Sequence, residues 1–329
     1  MRRFYLVVII SVFVLVTTLP TYTEEVGLEF ISEGIKYNDS LLKNCDVRIS
    51  YTVETTKYPE GGNALRDWFS KEPEEYLPPL LKEVERQRGE YDIVLKGKKH
   101  RIEEKRYEYS SQDGQDTPIL FHHHLWAYDD ENTRRIYYPI ENKTRLQGTI
   151  WSGQFPPIWN VPLLFADFLG ENTSLSDYPE IKLTGNAQIN GHDCYLLESS
   201  KMGVEERKVK IWVAPDMGFR PLRFESHTNK FVIINEANYE NCNGIWAIKH
   251  QIYQSFFKKS ETEKLRIYER ELTVNKLEFI CSPEEIPDSV FALEFPKELK
   301  KIWDADMEIL IDNPLSEEGG EDTTAEELN

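Results

Sequence analysis

The best catalytic or metal candidate in this chain is Phe121-His-His-His-Leu125. On an extended strand successive side chains alternate faces, so His122 and His124 share one face while His123 takes the other. Two imidazoles on one face could share a metal. That face also carries Trp126 and Tyr128, which suits a structural stack or a ligand wall equally well. The row reads first as packed or surface histidines, with no metal assigned. A metal-assisted hydrolase using His122 and His124 is the third of three readings. Asp129, Asp130 and Glu131 gather carboxylates only because they form a solvated turn. No Gly-x-Ser-x-Gly, His-Glu-x-x-His, Walker loop or Rossmann glycine set occurs, and the expectation is a non-catalytic protein with no cofactor.

A second kind of site is apolar. Residues 152–177 interrupt the strand pattern with Phe155, Trp159, Leu163, Leu164, Phe165 and Phe168. A curved antiparallel sheet leaves an apolar concave face that must be covered, and such a segment could be a ligand-responsive lid or permanent core. The candidate ligand contacts are Trp126, Trp151, Trp159, Leu163, Leu164, Phe165, Phe168 and Trp212.

The elements that position these residues follow from periodicity. Val26, Leu28, Ile31, Ile35, Leu41 and Leu42 recur at helical spacing over residues 24–43. Val47, Ile49, Tyr51 and Val53 then alternate with polar residues, as on a half-buried strand. A helical pattern returns over 63–88 and is divided by Pro73, Pro78 and Pro79. Strands are expected at 91–95, 101–109, 119–128 and 134–139. After the central segment they resume at 181–189, 193–199, 208–213, 221–226, 231–239, 245–257 and 265–279. A last short strand is expected at 289–295. Pro215-Asp-Met-Gly218 reads as a hairpin turn, with Gly218 supplying positive φ and Arg220 and Arg223 pairing with surface acids. The expected fold is α+β, mainly antiparallel: a curved half-open barrel of about 10–12 strands with helices over its concave face.

Arg2 and Arg3 before an apolar run mark residues 1–23 as a secretory signal or an uncleaved anchor, so the chain is expected to be exported, periplasmic or extracellular. The half-barrel domain then spans 24–303, with a helical insertion near 61–88 and the lid-like segment near 152–177. Residues 304–329 carry −10 of the −18 net charge and form an acidic tail expected to be disordered. Nucleic acid is not an expected partner. Cys45, Cys194, Cys242 and Cys281 allow one or two disulfides, with spacing unable to choose the pairing, and their separations argue against zinc. Asn38, Asn142 and Asn172 head N-glycosylation patterns.

Two stretches carry a resemblance. They are Leu125-Trp-Ala-Tyr-Asp-Asp with Tyr137-Tyr-Pro139, and Ile189-Asn-Gly-His-Asp-Cys-Tyr-Leu-Leu-Glu198 running into Lys210-Ile-Trp-Val-Ala-Pro-Asp-Met-Gly-Phe-Arg-Pro-Leu-Arg223. They resemble the outer-membrane lipoprotein-sorting (LolA/LolB/RseB-like) superfamily, and Asn243-Gly-Ile-Trp246, Ile286-Pro-Asp-Ser-Val-Phe291 and Phe295-Pro296 resemble its large secreted bacterial relatives. The resemblance implies a half-open barrel, greasy inside, that receives acyl chains or senses envelope proteins. The long insertion, the wide central loop and the acidic tail depart from the family pattern, and no lipobox Cys follows the signal. The first reading is therefore an exported binding protein holding a lipid, a lipoprotein acyl chain or another hydrophobic ligand. The second is an envelope interaction or sensor module with a packed interior.

Overall fold

A computed structural model describes residues 27–43, 45–70, 78–112, 115–140, 146–153, 175, 178, 180–199, 207–280 and 286–316. The expected signal, Trp159, Leu163, Leu164, Phe165, Phe168, Asn142, Asn172, Cys281 and the end of the acidic tail lie outside these residues.

Among the described residues, fifteen strands form one open sheet in the order β15-β14-β6-β5-β4-β3-β2-β1-β13-β12-β11-β10-β9-β8-β7. The first meander comprises β1 (Asp46–Lys57), β2 (Glu85–Lys96), β3 (Lys99–Gln112), β4 (Gln115–Tyr128), β5 (Asn132–Tyr137) and β6 (Gln147–Ser152). The second comprises β7 (Lys182–Ile189), β8 (His192–Ser199), β9 (Lys208–Ala214), β10 (Arg220–His227), β11 (Phe231–Cys242), β12 (Ile245–Lys258) and β13 (Lys264–Ile280). The two meanders are joined where β1 pairs with β13. A closing hairpin, β14 (Lys301–Asp304) and β15 (Ile309–Asp312), is added through a parallel β14–β6 pairing; every other pairing is antiparallel.

The fold class is as expected, with more strands. Three elements were not expected: β6, β14 and β15. The sheet runs on to Asp312, so the first residues of the expected acidic tail are an edge hairpin. Residues 289–295 form no strand. Asp288–Val290 is a 3-10 turn, and Phe291, Leu293 and Phe295 are buried against the sheet without joining its ladder. Among the described residues of the helical stretch near 63–88, the helix is α2 (Pro59–Trp68), and β2 begins at Glu85, earlier than expected.

Each face of the sheet buries its own apolar set. The inner face holds the main core: Val47, Ile49 and Tyr51 of β1, Ile211 of β9, Phe224 of β10 and Leu272 of β13. Helix α1 (Leu28–Lys43) contributes Ile31, Ile35 and Leu42 to it, the residues its periodicity marked. The outer face of β4–β6 buries Leu125, Ala127 and Ile136 under Leu293, Phe295, Leu299 and Ile302. A smaller outer cluster at β8–β10 joins Cys194, Ala214, Met217 and Leu222, with Trp212 packed against it.

The Pro215–Met217 turn anchors α1. Gly218 takes φ +64, Phe219 follows at φ +63, and the Asn38 side chain donates to the Gly218 carbonyl. A Cβ at Gly218 would collide with the Asn38 amide. Arg220 is no surface residue. Its side chain is 2% exposed, pairs with Asp39 at 2.9 Å and donates to the Trp246 carbonyl. Arg223 does pair with acids, Glu225 and Glu236. Asn38, buried and donating to both Gly34 and Gly218, is committed to α1 and cannot carry a glycan in this fold. Cys194 and Cys242 are free thiols.

Candidate functional site

Residues opposite one another in a ladder point to the same side, so the register fixes what shares the inner face. One row runs Tyr51, Tyr91, Glu104, His124, Tyr137, Gln147 across β1 to β6. The next runs Ile49, Ile93, Ile102, Trp126, Arg135, Thr149. Arg106 and His122 stand opposite each other on one side of these rows, and Tyr128, Thr133 and Trp151 align on the other. The inner face thus changes character along the sheet. It is aliphatic under α1 and becomes a strip of aromatic rings and ionisable groups on β3–β6.

The expected alternation of the three histidines holds. The rings of His122 and His124 lie 3.6 Å apart between centroids. His123, on the outer face, stacks on Tyr138 and meets Glu103 at 3.0 Å. His124 is 3% exposed and neither ring nitrogen has a hydrogen-bond partner. Its ring lies 3.5 Å from that of Tyr137 and 5.9 Å from that of Trp126. The Tyr137 hydroxyl lies 3.2 Å from His122 Nδ1, and His122 Nε2 is 3.6 Å from Glu104 Oε2. Arg106 holds the other carboxylate oxygen of Glu104 at 2.6 Å.

These contacts set the protonation states. Burial pushes the Glu104 carboxyl up, but His122 and the Arg106 guanidinium outweigh it and hold the group at about 2. Burial, then the neighbouring His122 and Arg135, hold His124 down at about 3. His124 is therefore a neutral imidazole at neutral pH. The Arg135 guanidinium sits 5.7 Å from the centroids of both the Tyr137 and Trp151 rings.

Of the residues expected to contact a ligand, Trp126 and Trp151 come together on this strip, both half-buried. The Trp126 indole N–H has no hydrogen-bond partner. Trp212 does not join them. Its neighbour Ile211 points inward, so Trp212 packs outward under the Arg223 guanidinium. Glu104 and Arg106 were not singled out in the sequence. The signal was the hairpin register, which sets Glu104 opposite His124, a pairing that alternation within one strand cannot reveal. The carboxylates at Asp129 are structural: Asp129 caps the Glu131 and Asn132 N–H groups and pairs with Arg134. A separate cleft of about 450 Å³ at β7–β8 is lined by Asp193, Cys194 and Tyr195 among others, and its described lining brings one carboxylate and no cation.

No family model matches the sequence, and no curated protein matches it. Solved structures do. A LolA superfamily protein from Nitrosomonas europaea is 14% identical, with 82% of this chain and 100% of that one covered at a TM-score of 0.33. An uncharacterized conserved protein from Thermus thermophilus is 9% identical, with 82% and 94% covered at a TM-score of 0.25. The Pseudomonas aeruginosa MucA/MucB complex contains a chain 7% identical, with 77% and 99% covered at a TM-score of 0.23. The open, mainly antiparallel sheet with one face buried under α1 rests on the strand order and the core by themselves. No helix among the described residues is long and apolar enough to cross a membrane.

Proposed function

We propose that this chain is an exported, non-catalytic binding protein that holds an apolar ligand, such as the acyl chain of a lipid or lipoprotein, on the inner face of its open sheet. One observation carries the reading: among the described residues, the inner face is continuous from β8 to β6, and α1 is fastened at one end of it. Asn38 and Asp39 fasten the helix to the Gly218 turn and Arg220. The remaining strip presents Trp126, Tyr137 and Trp151. Side chains of this kind offer large apolar area with a polar edge, the usual lining of a ligand site. Apolar area is worth roughly 25 cal/mol per Å², so an acyl chain laid along such a strip gains useful affinity. Leu164, Phe165 and Phe168 are assigned to the lid of this site, together with Trp159 and Leu163.

Native mass spectrometry of purified protein tests the proposal. Bound lipid, or a raised melting temperature on adding acyl lipids to delipidated protein, is the expected result. No co-purifying lipid and no thermal shift would sink it. Trp126→Asp is expected to abolish the shift while leaving the fold intact, and Leu164→Asp to impair uptake without unfolding the chain.

The second reading, an envelope protein-interaction module with a filled interior, is favoured by the aliphatic half of the face, where Leu197, Ile211 and Val213 are wholly buried. Under that reading Leu164→Asp unfolds the protein and Trp126→Asp leaves partner capture unchanged.

A further inference from the structure

The Glu104, His122 and His124 side chains each offer one ligand atom, and these atoms all lie within 4.8 Å of one another. The residues come from two strands and are brought together by the β3–β4 register. Three features distinguish the group from an ordinary aromatic stack. His124 is buried with both ring nitrogens unpartnered, and His122 Nε2 is buried and makes no hydrogen bond. A buried polar group left unsatisfied is a net cost that folded proteins avoid. The Tyr137 hydroxyl sits at His122 Nδ1, the kind of outer contact that fixes the tautomer and orientation of a ligating imidazole. Arg106 occupies one oxygen of Glu104 and leaves the other facing His122.

We propose that Glu104, His122 and His124 bind a divalent first-row transition ion, with zinc the best chemical fit. Two neutral imidazoles and a carboxylate form a recognised three-ligand set for zinc, which keeps a fourth position open. Calcium and magnesium demand oxygen ligands and are not suited to it. Metal–ligand bonds of about 2.0–2.2 Å require the three atoms to draw in by roughly 1 Å, within reach of small rotamer changes. Arg106 and Arg135 stand nearby and oppose a cation, which weakens the site without removing a donor. Ion binding at this place does not depend on what the rest of the inner face holds.

The test uses the whole untagged chain, stripped with a chelator and titrated with zinc chloride by calorimetry, with cobalt(II) chloride as a spectroscopic probe. One ion per chain is expected, and tetrahedral cobalt bands. His124→Gln and Glu104→Gln are each expected to weaken binding at least tenfold, Tyr137→Phe about tenfold, and His250→Gln not at all. Arg135→Gln is expected to tighten it, because a repelling charge is lost. Circular dichroism reports whether each variant folds; if His124→Gln does not, the wild-type cobalt spectrum decides. Absence of stoichiometric binding, equal binding by His124→Gln and Glu104→Gln, or weaker binding by Arg135→Gln would overturn the proposal.

Discussion

At the scale of single residues, two buried polar groups each make a prediction. Arg220 is buried with its charge matched by Asp39. Removing one partner of a buried pair leaves an uncompensated charge and typically costs about 3–5 kcal/mol. Asp39→Ala should therefore lower the urea midpoint strongly, more than Arg223→Ala, whose half-buried network faces solvent. His124 supplies the second. Its folded value of about 3 lies below the unfolded value of 6.5, so the unfolded chain binds the extra proton between those limits. The stabilising preference is complete above pH 6.5 and is lost as pH falls toward 3. For metal-free protein the loss from this group between pH 7 and pH 5 is about 2 kcal/mol. Glu104, held at about 2, adds a further loss below the ordinary carboxylate range. Melting temperature against pH, compared between wild type and His124→Phe, checks this: the variant's curve should be flatter between pH 7 and pH 5. The alternation of His122 and His124 was legible in the sequence because it depends only on strand geometry. Glu104 was not, because its place beside them is set by a neighbouring strand.

At the scale of elements, strands with one face in the main core were read directly, since burial on one side imposes the period of two. The misreadings have definite causes. β6 is six residues long with Gly148 inside it, and a Cβ there would strike Leu299 and Phe295, about 150 residues away in sequence. Its glycine answers long-range packing that no local pattern displays. Phe291, Leu293 and Phe295 alternate as a strand would because every second side chain is buried against the sheet. Periodicity reports burial on one side and says nothing of ladder membership. In α2, a Cβ at Gly61 would collide with the backbone of Arg266. Gly61→Ala should therefore destabilise the protein by forcing the helix off β13, readable as a lowered melting temperature. The β1–β13 register also bears on the cysteines. Asp46 lies opposite Ile280, and the next residue of the chain beyond each is Cys45 and Cys281. Non-reducing peptide mapping of protein from an oxidising compartment is expected to recover a Cys45–Cys281 cross-link, with Cys194 and Cys242 alkylated as thiols. A different pairing would show that the register does not govern oxidation.

At the scale of the whole molecule, strand order follows chain order around the sheet except at the β13–β1 junction and at the ends. That explains why the fold class was legible while the strand count was not: a meander is local, and the closing hairpin is not. The same topology places the first and last portions of the chain on structural duty for its middle. Leu125, Ala127 and Ile136 wait on residues 293–302 for their cover, and β1 waits on β13 for a partner. A ribosome delivers those partners only after the second meander has been made. Until then the emerging polypeptide carries a greasy outer wall and an unclosed seam, the kind of surface by which half-made chains stick to one another.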